Sequence, residues 1–143
     1  MKSVLDTNIF NKLVDGAIKI EELPPSDGFI ATHIQIDELN NTANKERRAH
    51  LLLQFATMTP TVVPTDSSVW DVSRFDHSRW SNGDLVNRLK TDLDAVNGGK
   101  ANNWNDVLIA EISIVNGYVL VTCDFDLANV ARKHGANVTY YAT

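Results

Sequence analysis

Short apolar, β-prone runs alternate with helical stretches from one end of this chain to the other, and that alternation restricts the fold more than any other feature. Ser3-Val4-Leu5, Gly28-Phe29-Ile30-Ala31, Thr61-Val62-Val63-Pro64, Tyr118 to Thr122 and Asn137 to Tyr141 read as strands. Between them, Ile9, Phe10, Leu13 and Val14 have helical spacing, after a cap at Thr7 or Asn8 and before a stop at Gly16. Thr32 caps a helix through Glu38 and Leu39, and a further helical stretch runs from about Ala43 to Met58. Helices are also predicted near Ser67–Arg74 and over Asp84–Val96, the latter closed by Gly98-Gly99. Asn103 or Trp104 opens another through Val115, stopped by Asn116-Gly117, and Phe125 to His134 is ended by Gly135. Such an order implies an α/β fold, a mostly parallel sheet flanked by helices. With no internal repeat, low-complexity run or long linker, residues 1–143 read as a single domain.

Ligands of open α/β sheets bind beyond the carboxyl ends of the strands. Two aspartates sit where that rule points: Asp6 ends the first strand and Asp124 follows the Tyr118–Thr122 strand. Asp106 lies near the start of the helix that feeds this last strand. That helix runs antiparallel to the strand, so its N-terminus returns to the same edge. Glu38 lies on the helix after the second strand and is reachable from that edge as well; its neighbour Asp37 points about 100° away around the helix, so only one of the two faces the site. Each acid alone has an ordinary explanation, as a helix cap, a complement to a helix dipole or a solvated helix residue. Together they differ: four acids from four segments at one edge repel one another unless a cation sits among them. Oxygen donors without histidine or cysteine suit Mg2+ or Mn2+ rather than zinc. Such an ion can acidify water and polarise a phosphoryl oxygen, the requirements for phosphodiester hydrolysis.

The net charge of −5 speaks, at face value, against a nucleic-acid partner. Clustering removes the objection. With the four candidate ligands set aside, about 14 of the 18 acidic residues remain against 13 basic ones. The single cysteine, Cys123, excludes an intrachain disulfide and any multi-cysteine zinc site. Asp6 follows only two apolar residues, too few for the core of an export signal, and Glu111, Asn116 and Gly117 interrupt the longest apolar stretch. The expected location is the cytoplasm.

Val4-Leu5-Asp6-Thr7-Asn8, Glu38-Leu39, Asn105-Asp106-Val107-Leu108-Ile109-Ala110 and Leu120-Val121-Thr122-Cys123-Asp124-Phe125-Asp126 occur in that order. In these motifs and their spacing the whole chain resembles the PIN domain, and in size and layout the VapC-type toxins of toxin–antitoxin pairs. The resemblance implies a PIN-like parallel sheet of four or five strands and a Mg2+- or Mn2+-dependent endoribonuclease. It implies Asp6, Glu38, Asp106 and Asp124 as acidic ligands of one or two ions, with Thr7 or Asn8 and Thr122 as polar neighbours orienting them. Asp126 falls where a further acid assists or replaces Asp124. A homodimer and a small antitoxin partner are implied too.

For the RNA substrate, Lys45, Arg47, Arg48 and Lys100 are the candidate contacts. Lys45 would lie on the face of Glu38 if one helix ran unbroken between them. Trp104 and Trp80 offer stacking surfaces, though tryptophans are more often buried. His33, His50, His77 and His134 show no metal-ligand or catalytic spacing. The alternatives are a nuclease of the same fold that is not a toxin and an RNA- or protein-binding module that kept the fold without catalysis; the latter has no need to maintain mutually repelling acids. An aspartyl-phosphate mechanism is disfavoured by Asn8, which stands where a second aspartate is required. A receiver domain is disfavoured because Val119 to Asp126 holds no lysine.

Overall fold

The computed structural model describes residues 1–66 and 84–142; the helix predicted near 67–74, together with His77 and Trp80, lies outside the described residues. Ser3–Leu5 forms β1, buried throughout, and α1 (Thr7–Asp15) follows at once. The cap of α1 is Asp6, whose carboxylate accepts from the Thr7 amide, and neither Thr7 nor Asn8. Asp6 keeps an extended backbone while Thr7 is already helical, so strand and helix meet at a single residue. Gly16 closes α1 in the left-handed conformation, φ 75°, as expected of a glycine there. A 3-10 turn (Ile20–Glu22) and a loop lead to β2 (Phe29–Ala31).

Thr32 caps α2 (His33–Asn40), and the Gln35 side chain accepts from the Thr32 amide to complete a capping box. The helix then stops. Asn41 to Asn44 are not helical, and Asn44 starts α3 (Lys45–Thr57) by accepting from the Arg47 amide at 2.9 Å. An unbroken helix from Glu38 to Lys45 is therefore not formed. The polar run Asn40, Asn41, Thr42 and Asn44 supplies side chains that compete for backbone hydrogen bonds, which is why the break falls there. β3 pairs over Thr61–Val62, short of Pro64, which has no N–H to offer. After α4 (Asp84–Asn97) come α5 (Asn103–Asn116), β4 (Val119–Thr122), α6 (Phe125–Lys133) and β5 (Asn137–Tyr140).

The five strands make one sheet in the order β3-β2-β1-β4-β5, with every pairing parallel. Leu5 lies opposite Val121 in the β1–β4 register. From β1 the chain proceeds outward on one side through β2 and β3, then returns to build β4 and β5 on the other. The order therefore reverses between β1 and β4, and their carboxyl ends flank a crevice. Alternation along the strands sends side chains to two faces. Val4, Ile30 and Leu120 meet Leu89 and Leu93 of α4, Leu108 of α5 and Leu127 of α6. Leu5 and Val121 meet Ile9 and Phe10 of α1, Leu39 of α2 and Leu51 of α3. Each buried aliphatic side chain contributes about 1.5–3 kcal/mol, so the two layers clamp the strand ends in place. No helix among the described residues is long and apolar enough to cross a membrane.

Candidate functional site

The crevice between β1 and β4 holds the four acids selected from the sequence. Asp6 leaves the end of β1 and is 4% exposed. One carboxylate oxygen accepts from the Thr7 amide at 2.8 Å; the other accepts from Thr122 Oγ1 at 2.8 Å and from Asn8 Nδ2 at 3.1 Å. Thr122 is fully buried at the end of β4, and its hydroxyl in turn accepts from the Asp124 amide at 3.0 Å. Asp124 caps α6 through the Leu127 amide at 3.1 Å. Asn8 bridges the strands a second time, accepting from the Cys123 amide at 3.2 Å.

The other side of the crevice is reached through Thr7. Its hydroxyl donates to Glu38 Oε1 at 2.7 Å, and Glu38 is hydrogen-bonded to Asn105 as well. Asn105 precedes Asp106 in the first turn of α5, and Asp106 is only 5% exposed. One chain of contacts thus runs from Asp124 through Thr122, Asp6, Thr7 and Glu38 to Asn105. All four proposed ligands are brought to one place. Gln35 steadies the geometry from below: its buried amide donates to the Leu5 carbonyl at 3.2 Å, tying the start of α2 to the residue before Asp6.

The charges of these acids oppose one another. Burial raises Asp106 to about 9, and the charges of Asp6, Glu38 and Asp124 push in the same direction, against a pull from Lys100. Burial likewise raises Asp6 to about 6, reinforced by Glu38 and Asp124 and resisted by hydrogen bonds from Thr122 and Thr7. Glu38 is raised by burial, with Thr7 and Asn105 opposing. Among the described residues, no three or more acidic, histidine or cysteine side chains are arranged so that they could hold a metal ion together. The donor set nevertheless suits a hard dication such as Mg2+, which keeps several waters and takes only one or two carboxylates directly from the protein.

The remaining candidates are distributed unevenly. Asp126 lies half-buried in the first turn of α6, two residues beyond the cap. Lys45 opens α3 on the surface, separated from Glu38 by the helix break. Arg47 is engaged elsewhere, binding both carboxylate oxygens of Asp15 at 2.7 and 3.2 Å and Asn11 at 2.9 Å, so it fastens α3 to α1. Arg48 donates to the Thr42 carbonyl at 3.3 Å. Lys100 alone of the four acts electrostatically on Asp106. Trp104 is half-buried against the core, with the Lys90 ammonium 4.9 Å from its ring centroid. Asn105 was not singled out from the sequence as a site residue; its place directly before Asp106 was the available signal.

No protein-family model matches the sequence, and no curated protein matches it. Solved structures do. A chain of VapBC2 from Rickettsia felis, bound to a DNA fragment from its promoter, is similar with a TM-score of 0.61 at 18% identity, covering 98% of each chain. A domain of a functionally unknown protein from Methanocaldococcus jannaschii gives 0.55 at 14% identity, over 99% of this chain and 91% of the other. A chain of VapBC-5 from Mycobacterium tuberculosis, a member of the VapBC family of toxin–antitoxin systems, gives 0.50 at 21% identity, over 99% and 98%. At these identities the likeness establishes the fold, and the PIN-like α/β fold expected from the sequence is the one observed.

Proposed function

We propose that this protein is a Mg2+- or Mn2+-dependent endoribonuclease and the toxin of a toxin–antitoxin pair. The observation that carries the reading is the gathering of Asp6, Glu38, Asp106 and Asp124 at the reversal of strand order, where burial and the neighbouring carboxylates penalise the charges of Asp6 and Asp106. Folding places four like charges together at a cost unless an external cation offsets it. A hard dication held there by these carboxylates would supply Lewis acidity toward a phosphodiester and would lower the pKa of nearby water.

The chain's own groups set the geometry for that chemistry. Thr122 and Asn8 fix one oxygen of Asp6, while the Thr7 amide holds the other, so its carboxylate cannot rotate freely. Thr7 donates to one oxygen of Glu38, and Asn105 bears on the same carboxylate. Hydrogen-bonded partners of this kind orient ligands and commonly matter about 10–100-fold in metal affinity or activity. Among the described residues, Lys100 is the basic residue best placed to meet a phosphate oxygen, because its charge already reaches Asp106. Hydrolysis then proceeds by addition of water to phosphorus and departure of the leaving ribose oxygen with the electron pair of the broken bond and a proton.

The toxin assignment is supported by the shared fold with chains of two VapBC structures, and it brings a small antitoxin and a second copy of the chain as partners. Metal-dependent cleavage of a structured RNA by the wild type and by Asp6→Asn tests the enzymatic core of the proposal. Cleavage by the wild type, abolished by chelation and by the substitution, is expected; equal activity in both proteins refutes it.

A further inference from the structure

The first turn of α5 delivers Asn105 and Asp106, yet it lacks a conventional cap: Asn102, the residue before it, makes no side-chain capping bond. Its anchor is Asn103, which is completely buried. The Asn103 carboxamide nitrogen donates to Asp94 Oδ1 at 2.7 Å and to Asn97 Oδ1 at 2.8 Å, and its oxygen accepts from Asn97 Nδ2 at 2.9 Å. Two carboxamides therefore pair reciprocally across the α4–α5 turn. Asn97 Oδ1 also accepts from the Gly99 amide at 3.2 Å, and Asp94 is ion-paired with Lys90, the residue whose ammonium lies over Trp104. Gly98 and Gly99 both take positive φ, 77° and 75°, so the chain reverses sharply inside this lock.

Two parts of the carboxylate site depend on that turn. Lys100 is carried within it, and Asn105, the partner of Glu38, stands two residues after Asn103. Apolar packing of Leu89 and Leu93 against Leu108 holds α4 and α5 together but is non-directional and tolerates sliding. Directional hydrogen bonds converging on the buried Asn103 fix position instead. We infer that Asn103 is a positioning residue for the carboxylate site: through Asn97 and Asp94 it sets where Lys100, Asn105 and Asp106 stand relative to Glu38. This inference rests on reading that site as a dication site.

Calorimetric titration with Mn2+ and the NMR signals of the Asn105 side-chain amide test it together. Asn103→Ala and Asn97→Ala are each expected to weaken Mn2+ binding about tenfold, within the range for groups that orient ligands. The double variant should lose no more than Asn103→Ala alone, because that substitution already removes the pairing with Asn97 as well as the bond to Asp94. Both substitutions should also displace the Asn105 amide signals. Val130→Ala, a core truncation in α6 away from the crevice, should leave Mn2+ affinity and those signals as in the wild type. That separates positioning from general loss of stability. Wild-type Mn2+ affinity with unmoved Asn105 signals in Asn103→Ala overturns the inference. Should Asn103→Ala fail to fold, Asn97→Ala, which leaves the bond from Asn103 to Asp94, carries the same comparison. If the wild type itself binds no Mn2+, the dication reading is what fails. The Asn105 signals then decide alone, displacement supporting the lock and no displacement overturning it.

Discussion

Asp106 on α5 and Asp92 on α4 belong to neighbouring helices on one face of the sheet, but their surroundings treat a negative charge in opposite ways. Asp92 is met by His134 Nε2 at 2.7 Å and Lys133 Nζ at 3.2 Å, and the hydrogen bond from His134, followed by that from Lys133, holds its carboxyl below the usual range. Asp106 is buried among Asp6, Glu38 and Asp124 and is pushed up to about 9. The first arrangement is complete: it fastens α4 to the end of α6 and asks nothing from solution. The second, on the proposed reading, is completed by a cation from outside. A carboxylate among cations is a fastening, whereas a carboxylate among carboxylates is a candidate site.

The largest expected consequence of this contrast is in catalysis. Asp106→Asn should reduce metal-dependent RNA cleavage by more than about 100-fold, exceeding what a merely orienting group supplies. Asp92→Asn should leave the rate close to that of the wild type. Single-turnover cleavage of one RNA substrate by the three proteins checks both statements, and a comparable loss in Asp92→Asn would erase the distinction.

Stability should follow pH with opposite signs in the two regions. The folded protein keeps a proton on Asp106 across a range where an unfolded aspartate, near 3.8, has released it. The associated stability is complete below about 3.8 and is lost as pH rises through about 9. Chelator-treated protein should therefore lose thermal stability between about pH 5 and 9, and Asp106→Asn should flatten that decline. Mn2+ should offset it, with release of protons on binding. For Asp92 the folded value is depressed, so its contribution is present above the unfolded value and is lost on acidification. Melting curves across pH for wild type, Asp106→Asn and Asp92→Asn separate the two signs.

Thr122→Val sharpens the picture on a smaller scale. It removes the hydroxyl that donates to Asp6 and accepts from the Asp124 amide while keeping the β-branched shape. Mn2+ affinity should fall about tenfold with little change in the sheet. The smallest effect is that of Asp92→Asn on melting at neutral pH, a slight decrease with no change in Mn2+ binding, measurable by differential scanning calorimetry.

Much of this was legible in the sequence because local chemistry and global position coincide. Ser3-Val4-Leu5 is too short and too apolar to be anything but a buried strand in this alternation, and the acid that ends it necessarily emerges at the carboxyl edge. Gly16 and Gly117 marked helix ends that the structure places in the left-handed conformation. Asp106 could be placed because a helix returning to a parallel strand must begin at the edge where that strand ends. What was not legible depended on competition between adjacent residues or on distant contacts. Asp6, Thr7 and Asn8 can all cap a helix, and what decides is that Asn8 donates to Asp6 and accepts from the distant Cys123 amide while Thr7 donates to the distant Glu38. The break between α2 and α3 falls between the two helical stretches read from the sequence, through Leu39 and from about Ala43, and only the conditional reading of one helix from Glu38 to Lys45 fails. Asn103 lay at a helix start like any polar residue there; its pairing with Asn97 depends on how a glycine turn folds back.

The direct test of the central claim is a crystal grown or soaked with Mn2+ and measured at the manganese absorption edge. An anomalous peak within coordinating distance of Asp6 and Asp106, in the crevice they share with Glu38 and Asp124, is the expected result. An empty crevice at saturating Mn2+, or a peak only elsewhere on the molecule, contradicts the account.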